Sequence, residues 1–171
     1  MYRFVQPFIK SFYTIIIVFS WSFYAQENKE SEYLKQAESF SEEVAKIADS
    51  PVPTWDSGII IFTGSSSVRL WGDAGLLSKG SPIINTAFGG STAYGLNVYL
   101  EDLVLRYEPK QVFIYEGDND IAAGRDTRTI LEHLDTIFTR IWEQNPEVEI
   151  VYISAKQPPS MGASQRVRSF K

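Results

Sequence analysis

Apolar positions along this chain follow two alternating rhythms. Short continuous apolar runs recur, and between them apolar residues return every three or four positions. Gly58 to Thr63, holding Ile59, Ile60, Ile61 and Phe62, predicts a first strand. Ser81 to Thr86, with Pro82-Ile83-Ile84-Asn85 inside it, predicts a short second strand. Lys110 to Tyr115, introduced by Pro109, predicts a third, and Glu147 to Ser154 a fourth. Ser31 to Asp49 reads as an amphipathic helix, with Tyr33, Ala37, Phe40, Val44 and Ile47 on one face and Glu38, Glu42, Glu43 and Lys46 on the other. Thr92 to Tyr107 predicts a second helix through Leu96, Tyr99, Leu100, Leu103 and Val104. Thr127 to Glu143 predicts a third through Ile130, Leu131, Leu134, Ile137, Phe138 and Ile141. Strands that are apolar throughout, alternating with helices, indicate an α/β domain whose parallel sheet is covered on both faces.

The flanks follow other patterns. Arg3 and Lys10 precede an apolar run from Phe12 to Tyr24, and Ser20, Ser22 and Ala25 offer small residues for cleavage. Residues 1–25 are therefore expected to be a signal peptide, cut after Ser22 or Ala25. The run is short for a membrane-spanning helix, so no stable span is expected after cleavage, and a secreted or periplasmic location follows. An uncleaved anchor and a buried helix are the alternatives. Residues 26–54 are expected to form the N-terminal helix and a linker, closed by Ser50-Pro51-Val52-Pro53. The domain proper is expected over 55–154. Residues 155–171 show no clear period and read as an irregular tail.

Composition narrows the function classes. The 171 residues are 44% hydrophobic and 22% charged, an ordinary globular balance. Net charge is −5, and Arg3 and Lys10 are the only charges in the first 25 residues. An acidic body without a basic stripe argues against nucleic-acid binding. The absence of cysteine excludes disulfides, thiolate chemistry, cysteine-ligated zinc and a lipoprotein anchor. His133 is the single histidine.

Candidate chemistry lies where the strands end, because ligands of open parallel sheets bind beyond the carboxyl ends of the strands. Gly64-Ser65-Ser66-Ser67 follows the first strand, Asn85-Thr86-Ala87-Phe88-Gly89-Gly90-Ser91-Thr92 the second, and Glu116-Gly117-Asp118-Asn119-Asp120 the third. Alone, each has a plain reading: a helix cap, a glycine turn, a solvated or weakly cation-binding loop. Brought to one edge they meet the needs of acyl transfer, which takes a nucleophile and donors aimed at the developing oxyanion. A serine opening a helix offers a hydroxyl and a backbone N–H. A glycine lets a second N–H approach, and an asparagine amide adds a third donor without charge.

These three ordered blocks resemble those of the SGNH (GDSL-type) hydrolases, esterases and lipases, from about Trp55 to Ser154. Gly64-Ser65-Ser66 resembles the first block, with Ser65 where aspartate is usual. Asn85 to Ser91 resembles the second, and Gly117-Asp118-Asn119-Asp120 the third. The resemblance implies a flavodoxin-like three-layer α/β/α fold with a parallel sheet. It also implies Ser66 as nucleophile, Gly90 N–H and the Asn119 side chain in the oxyanion hole, and no metal or organic cofactor. The implied partner is a small-molecule, carbohydrate or lipid ester. Asp120 reads as a loop-holding residue, and Arg69 and Trp71 as packing or pocket-lining residues.

The family's fourth block, Asp-x-x-His, has no counterpart in this sequence. His133 matches it in neither position nor motif, and lies roughly 9 Å along the third predicted helix. A sequence incomplete at its C-terminus, with the fourth strand left as an apolar edge, is the preferred expectation; natural loss of catalysis is the alternative. Two other readings stand beside the serine esterase: a non-catalytic carbohydrate- or lipid-binding module, and a phosphate-binding flavodoxin-like domain.

Overall fold

In the computed structural model, the residues described are 24, 27–54, 56, 58–71, 80–155 and 167–170. The expected signal segment, apart from Tyr24, lies outside them. So does most of the expected tail. The chain divides into two compact units, Met1–Gln36 and Ala37–Lys171. In the first, residues 27–36 are helical.

The second unit is built on a five-stranded sheet. Its strands are β1 (Ile60–Gly64), β2 (Ile83–Asn85), β3 (Gln111–Glu116), β4 (Glu149–Ser154) and β5 (Val167–Phe170), in the order β2-β1-β3-β4-β5. The first four are parallel, which is the strand order of a flavodoxin-like domain. The helices are α1 (Ser41–Ala48), α2 (Ser66–Arg69), α3 (Ala93–Val98), α4 (Leu100–Leu103), α5 (Asp118–Ala122) and α6 (Thr127–Gln144), with a 3-10 turn at Leu105–Tyr107.

Strand parity divides the core. Ile59, Ile61, Val112, Ile114 and Ile150 meet Val44 of α1, Leu96 of α3, Leu100 and Leu103 of α4, and Ile130, Leu134, Ile137 and Ile141 of α6. Phe62, Tyr115 and Ile153 project to the opposite face, where Val68 of α2 packs with them. Phe62 and Phe113 stack there with ring centroids 4.4 Å apart. The apolar runs are continuous because both faces of the sheet are buried.

Three expectations are corrected. The helix expected over Ser31–Asp49 is interrupted by a turn at residues 39–40. Phe40 N–H donates to Ala37 O at 2.9 Å, and the Phe40 ring packs on Phe88 with centroids 5.1 Å apart. The helix expected over Thr92–Tyr107 is three short pieces, although its apolar period holds. Arg140 donates to the Asn97 carbonyl, an oxygen that a continuous helix would use internally. Part of the tail read as irregular forms β5, antiparallel to β4 with Ile150 opposite Phe170 and Ile153 opposite Val167. The fourth strand is therefore paired on both sides.

One backbone contact fixes how β1 ends. Gly64 has φ +119°, and a Cβ there would stand 2.0 Å from the Tyr115 carbonyl oxygen. No side chain fits, and an L residue would also be strained in that conformation. Gly64→Ala is expected to destabilise the domain by at least about 3 kcal/mol, read as a lowered urea midpoint. A midpoint within experimental error of the parent would show that the two strands can separate without cost.

Candidate functional site

The glycine at the end of β1 turns the chain into α2, and the three serines that follow take different places. Ser65 is buried, Ser66 half-buried and Ser67 exposed. Ser65 N–H donates to Tyr115 O at 3.0 Å, and its carbonyl accepts from Val68 N–H and Arg69 N–H at 3.0 and 3.2 Å. Its hydroxyl donates to Asp118 Oδ2 at 3.3 Å. Ser65 is thus held from every side, and Ser66 opens the helix, where a first-turn N–H has no internal acceptor.

The second loop folds over the same edge. Asn85 Nδ2 donates to Val68 O at 2.8 Å, and its Oδ1 accepts from Ala87 N–H at 3.1 Å. Phe88 N–H donates to Gly64 O at 3.0 Å. Gly89 N–H donates to the Glu43 carboxylate, 3.2 Å from each oxygen. Gly90 has φ +72°, the left-handed region that favours glycine. Thr92 caps α3 by accepting from Gly95 N–H at 3.1 Å.

The third loop leaves β3 through Gly117, φ +106°, into α5. Asn119 Nδ2 donates to Ser91 O at 2.7 Å. A primary amide has two N–H groups, so this anchor leaves one to point elsewhere. Asp120 is buried; one oxygen pairs with Arg125 Nη1 at 2.9 Å and the other accepts from Ala93 N–H at 3.0 Å. It holds the loop.

The three loops share one pattern. Ser66, Gly90 and Asn119 are each half-buried, and each sits beside a buried neighbour, Ser65, Ser91 and Asp120, that ties its loop to another. His133 is half-buried on α6 with its ring edge-on to Tyr94, centroids 5.2 Å apart. Burial lowers its pKa. A cavity of about 520 Å³ adjoins α1, the end of α2 and the second loop, with Glu43, Arg69, Trp71, Asn85 and Ala87 in its wall. Arg69 and Trp71 line this cavity, which Ser66, Gly90 and Asn119 do not, and Trp71 also lies against Phe62 with centroids 5.7 Å apart.

Two residues were not singled out by sequence. Glu43 looked like one more charge on a solvated helix face, and its contact with Gly89 spans 46 positions. Glu116 carried a signal in its parity, since Val112, Ile114 and residue 116 point to one face of β3. It is wholly buried, and Ser91 Oγ donates to its Oε1. Its other oxygen has no hydrogen-bond partner among the described residues. Burial holds its pKa well above the usual carboxylate range, and the Asp120 and Asp118 charges push the same way. Tyr152, whose hydroxyl donates to Glu116 O at 2.9 Å, is pushed up to about 12 by burial first and the Glu116 charge second.

The raised Glu116 pKa has a signed consequence. The folded chain holds that proton where the unfolded chain releases it, from about pH 4.3 upward. Stability is therefore lost as pH rises through that window. Glu116→Gln, which cannot ionise, is expected to remove this slope. Urea unfolding at pH 4.5 and pH 8 should show the variant gaining on the parent at the higher pH; an equal difference at both would contradict the elevation.

A family model described as "GDSL-like Lipase/Acylhydrolase family" matches residues 62–170. No match emerges among curated proteins. Among solved structures, a Streptococcus pneumonia protein provisionally named as a platelet activating factor aligns at TM-score 0.55 and 23% identity, over 74% of this chain and 57% of its own. A GDSL-like lipase from Bacteroides thetaiotaomicron aligns at TM-score 0.53 and 16% identity, over 67% and 55%. The psychrotrophic esterase EstA from Pseudoalteromonas sp., in a structure inhibited by monoethylphosphonate, aligns at TM-score 0.52 and 19% identity, over 61% and 63%. The chain thus spans less than two-thirds of the length of each of these relatives. The match over residues 62–170, on a fold that these structures share, places the chain in the family of GDSL-like lipases and acylhydrolases.

Proposed function

We propose that this chain is the scaffold of a serine esterase that cleaves ester-linked acyl groups through an acyl-enzyme. The observation that carries the reading is the triplet of half-buried positions, Ser66, Gly90 and Asn119, each backed by a buried anchor on converging loops. Ser66 Oγ attacks the ester carbonyl carbon and gives up its proton to a base. The carbonyl oxygen gains the negative charge and is held by Ser66 N–H, Gly90 N–H and the free N–H of the Asn119 amide. The C–O bond then breaks, the alcohol leaves with a proton, and water releases the acid from the acyl-serine.

The sequence holds no Asp-x-x-His to supply the base, and His133 packs against Tyr94. The chain as given is therefore expected to turn over slowly. Oxyanion stabilisation and binding alone leave a residual rate of about a thousandfold over water in serine hydrolases. Arg3, Lys10 and the apolar run after them support export to a secreted or periplasmic location.

Hydrolysis of p-nitrophenyl acetate with and without added imidazole tests this reading. Imidazole is expected to raise the rate of the parent protein at least tenfold above that of Ser66→Ala under the same conditions. Equal imidazole-dependent rates in the two proteins would remove Ser66 as nucleophile. Rapid hydrolysis without imidazole, abolished by Ser66→Ala, would show that the chain contains its own base. The second reading, a non-catalytic carbohydrate- or lipid-binding module, draws on the cavity beside Arg69 and Trp71. Saturable ligand binding unchanged by Ser66→Ala, with no turnover, would favour it.

A further inference from the structure

Helix α1 lies outside the residues that match the family, 62–170, and its Glu43 reaches into the second loop. Each oxygen of the Glu43 carboxylate lies 3.2 Å from Gly89 N, and Oε1 also accepts from Arg69 Nη1 at 2.9 Å. Arg69 closes on the same peptide: a Cβ on Gly89 would stand 3.1 Å from Arg69 Nη1. Glu43 and Arg69 together grip the glycine that precedes Gly90. Arg69 stands three residues after Ser66 on α2, a spacing that puts neighbours on one helical face.

The position of α1 is itself fixed. Phe40, at its N-terminus, packs on Phe88, and Val44 is buried in the main core. Arg106 donates to Ala48 O at its far end and to Ser50 O at 3.0 Å just beyond. The carboxylate is therefore delivered to a set place.

The loop's donors show what this hold does. Phe88 N–H is taken by Gly64 O, Gly89 N–H by Glu43 and Ala93 N–H by Asp120. The Ser91 carbonyl is taken by Asn119. Gly90 N–H has no acceptor among the described residues. The peptides on either side of Gly90 are thus tied, Gly89 through its N–H and Ser91 through its carbonyl, and the Gly90 N–H between them is left to face a ligand.

We infer that Glu43 is a positioning residue for the oxyanion loop, acting through the Gly89 N–H and the Arg69 guanidinium to set the direction of the Gly90 N–H. The inference rests on the esterase reading for the role of Gly90, but not for the grip itself. A mere surface ion pair, screened by water, would leave the loop's amides unchanged.

Backbone amide exchange in the nitrogen-15-labelled full chain, read by NMR, separates the two. Glu43→Ala is expected to speed exchange at Gly89 at least tenfold and to shift the Gly90 resonance. Phe88, Ala93 and the core amides of Ile114 and Ile150 should keep the parent's rates. Glu43→Gln keeps an Oε1 that can accept from both Gly89 and Arg69, so it should restore Gly89 protection to within threefold of the parent. Parent-like Gly89 and Gly90 in Glu43→Ala would overturn the inference. So would a general rise in exchange through the core, which would make Glu43 a stability residue, or a failure of glutamine to restore protection.

The imidazole-dependent acyl transfer rate, taken in the same variants, reads the consequence. It should fall at least tenfold in Glu43→Ala and recover in Glu43→Gln, and an unchanged rate in Glu43→Ala would remove the positioning role. If Ser66→Ala shows the parent's imidazole dependence, the esterase reading fails, and the amide data alone decide whether Glu43 holds the loop.

Discussion

The passage of Gly64 against the Tyr115 carbonyl is the contact on which the rest of the site depends. With no side chain between them, β1 and β3 stay in register to the last residue, Gly64 opposite Tyr115. Gly64 O then accepts from Phe88 N–H, and Tyr115 O accepts from Ser65 N–H, both at 3.0 Å. One tight crossing thus ties the end of β1 to the second loop and to β3. A larger residue would part all of these at once, because the groups concerned are backbone and cannot move independently.

Electrostatics imposes a second order on the same edge. Glu116, Asp118 and Asp120 lie within five residues, and Asp120 pairs with Arg125. A full complement of negative charge behind Asn119 would oppose the oxyanion that we propose it binds. Burial relieves part of this by favouring the protonated form of Glu116. Ser91 joins the two effects: its hydroxyl bonds Glu116 and its carbonyl anchors the Asn119 amide. The carboxyl whose ionisation burial opposes therefore supports, through Ser91, the amide that we propose as an oxyanion donor.

Much of this was legible in the sequence, for reasons that differ by element. Ile59 to Phe62, Val112 to Tyr115 and Ile150 to Ile153 announce buried parallel strands because both sheet faces are covered. The loops were legible because glycine and polar residues follow apolar runs at Gly64, Gly89-Gly90 and Gly117. The breaks near Tyr99 and Phe40 were not, since no proline stands at either. Arg140 at the Asn97 carbonyl and Phe40 against Phe88 are tertiary events that a helical period does not record. Val167 to Phe170 is too short to show a period, and its strand form depends on the edge that β4 offers.

Glu43 shows where such reading stops in principle. Its neighbours Glu42 and Lys46 form an exposed i,i+4 pair at 2.8 Å, as a solvated helix face should. Glu43 differs only in what lies opposite it, a loop 46 positions away. Its side chain is 37% exposed and that of Arg69 47%, so water screens the pair and its energy is small. The hold on Gly89 must then act through geometry rather than stability. A hydrogen bond that contributes little to folding can still decide the direction of one peptide, and an oxyanion hole depends on direction to within a few tenths of an ångström.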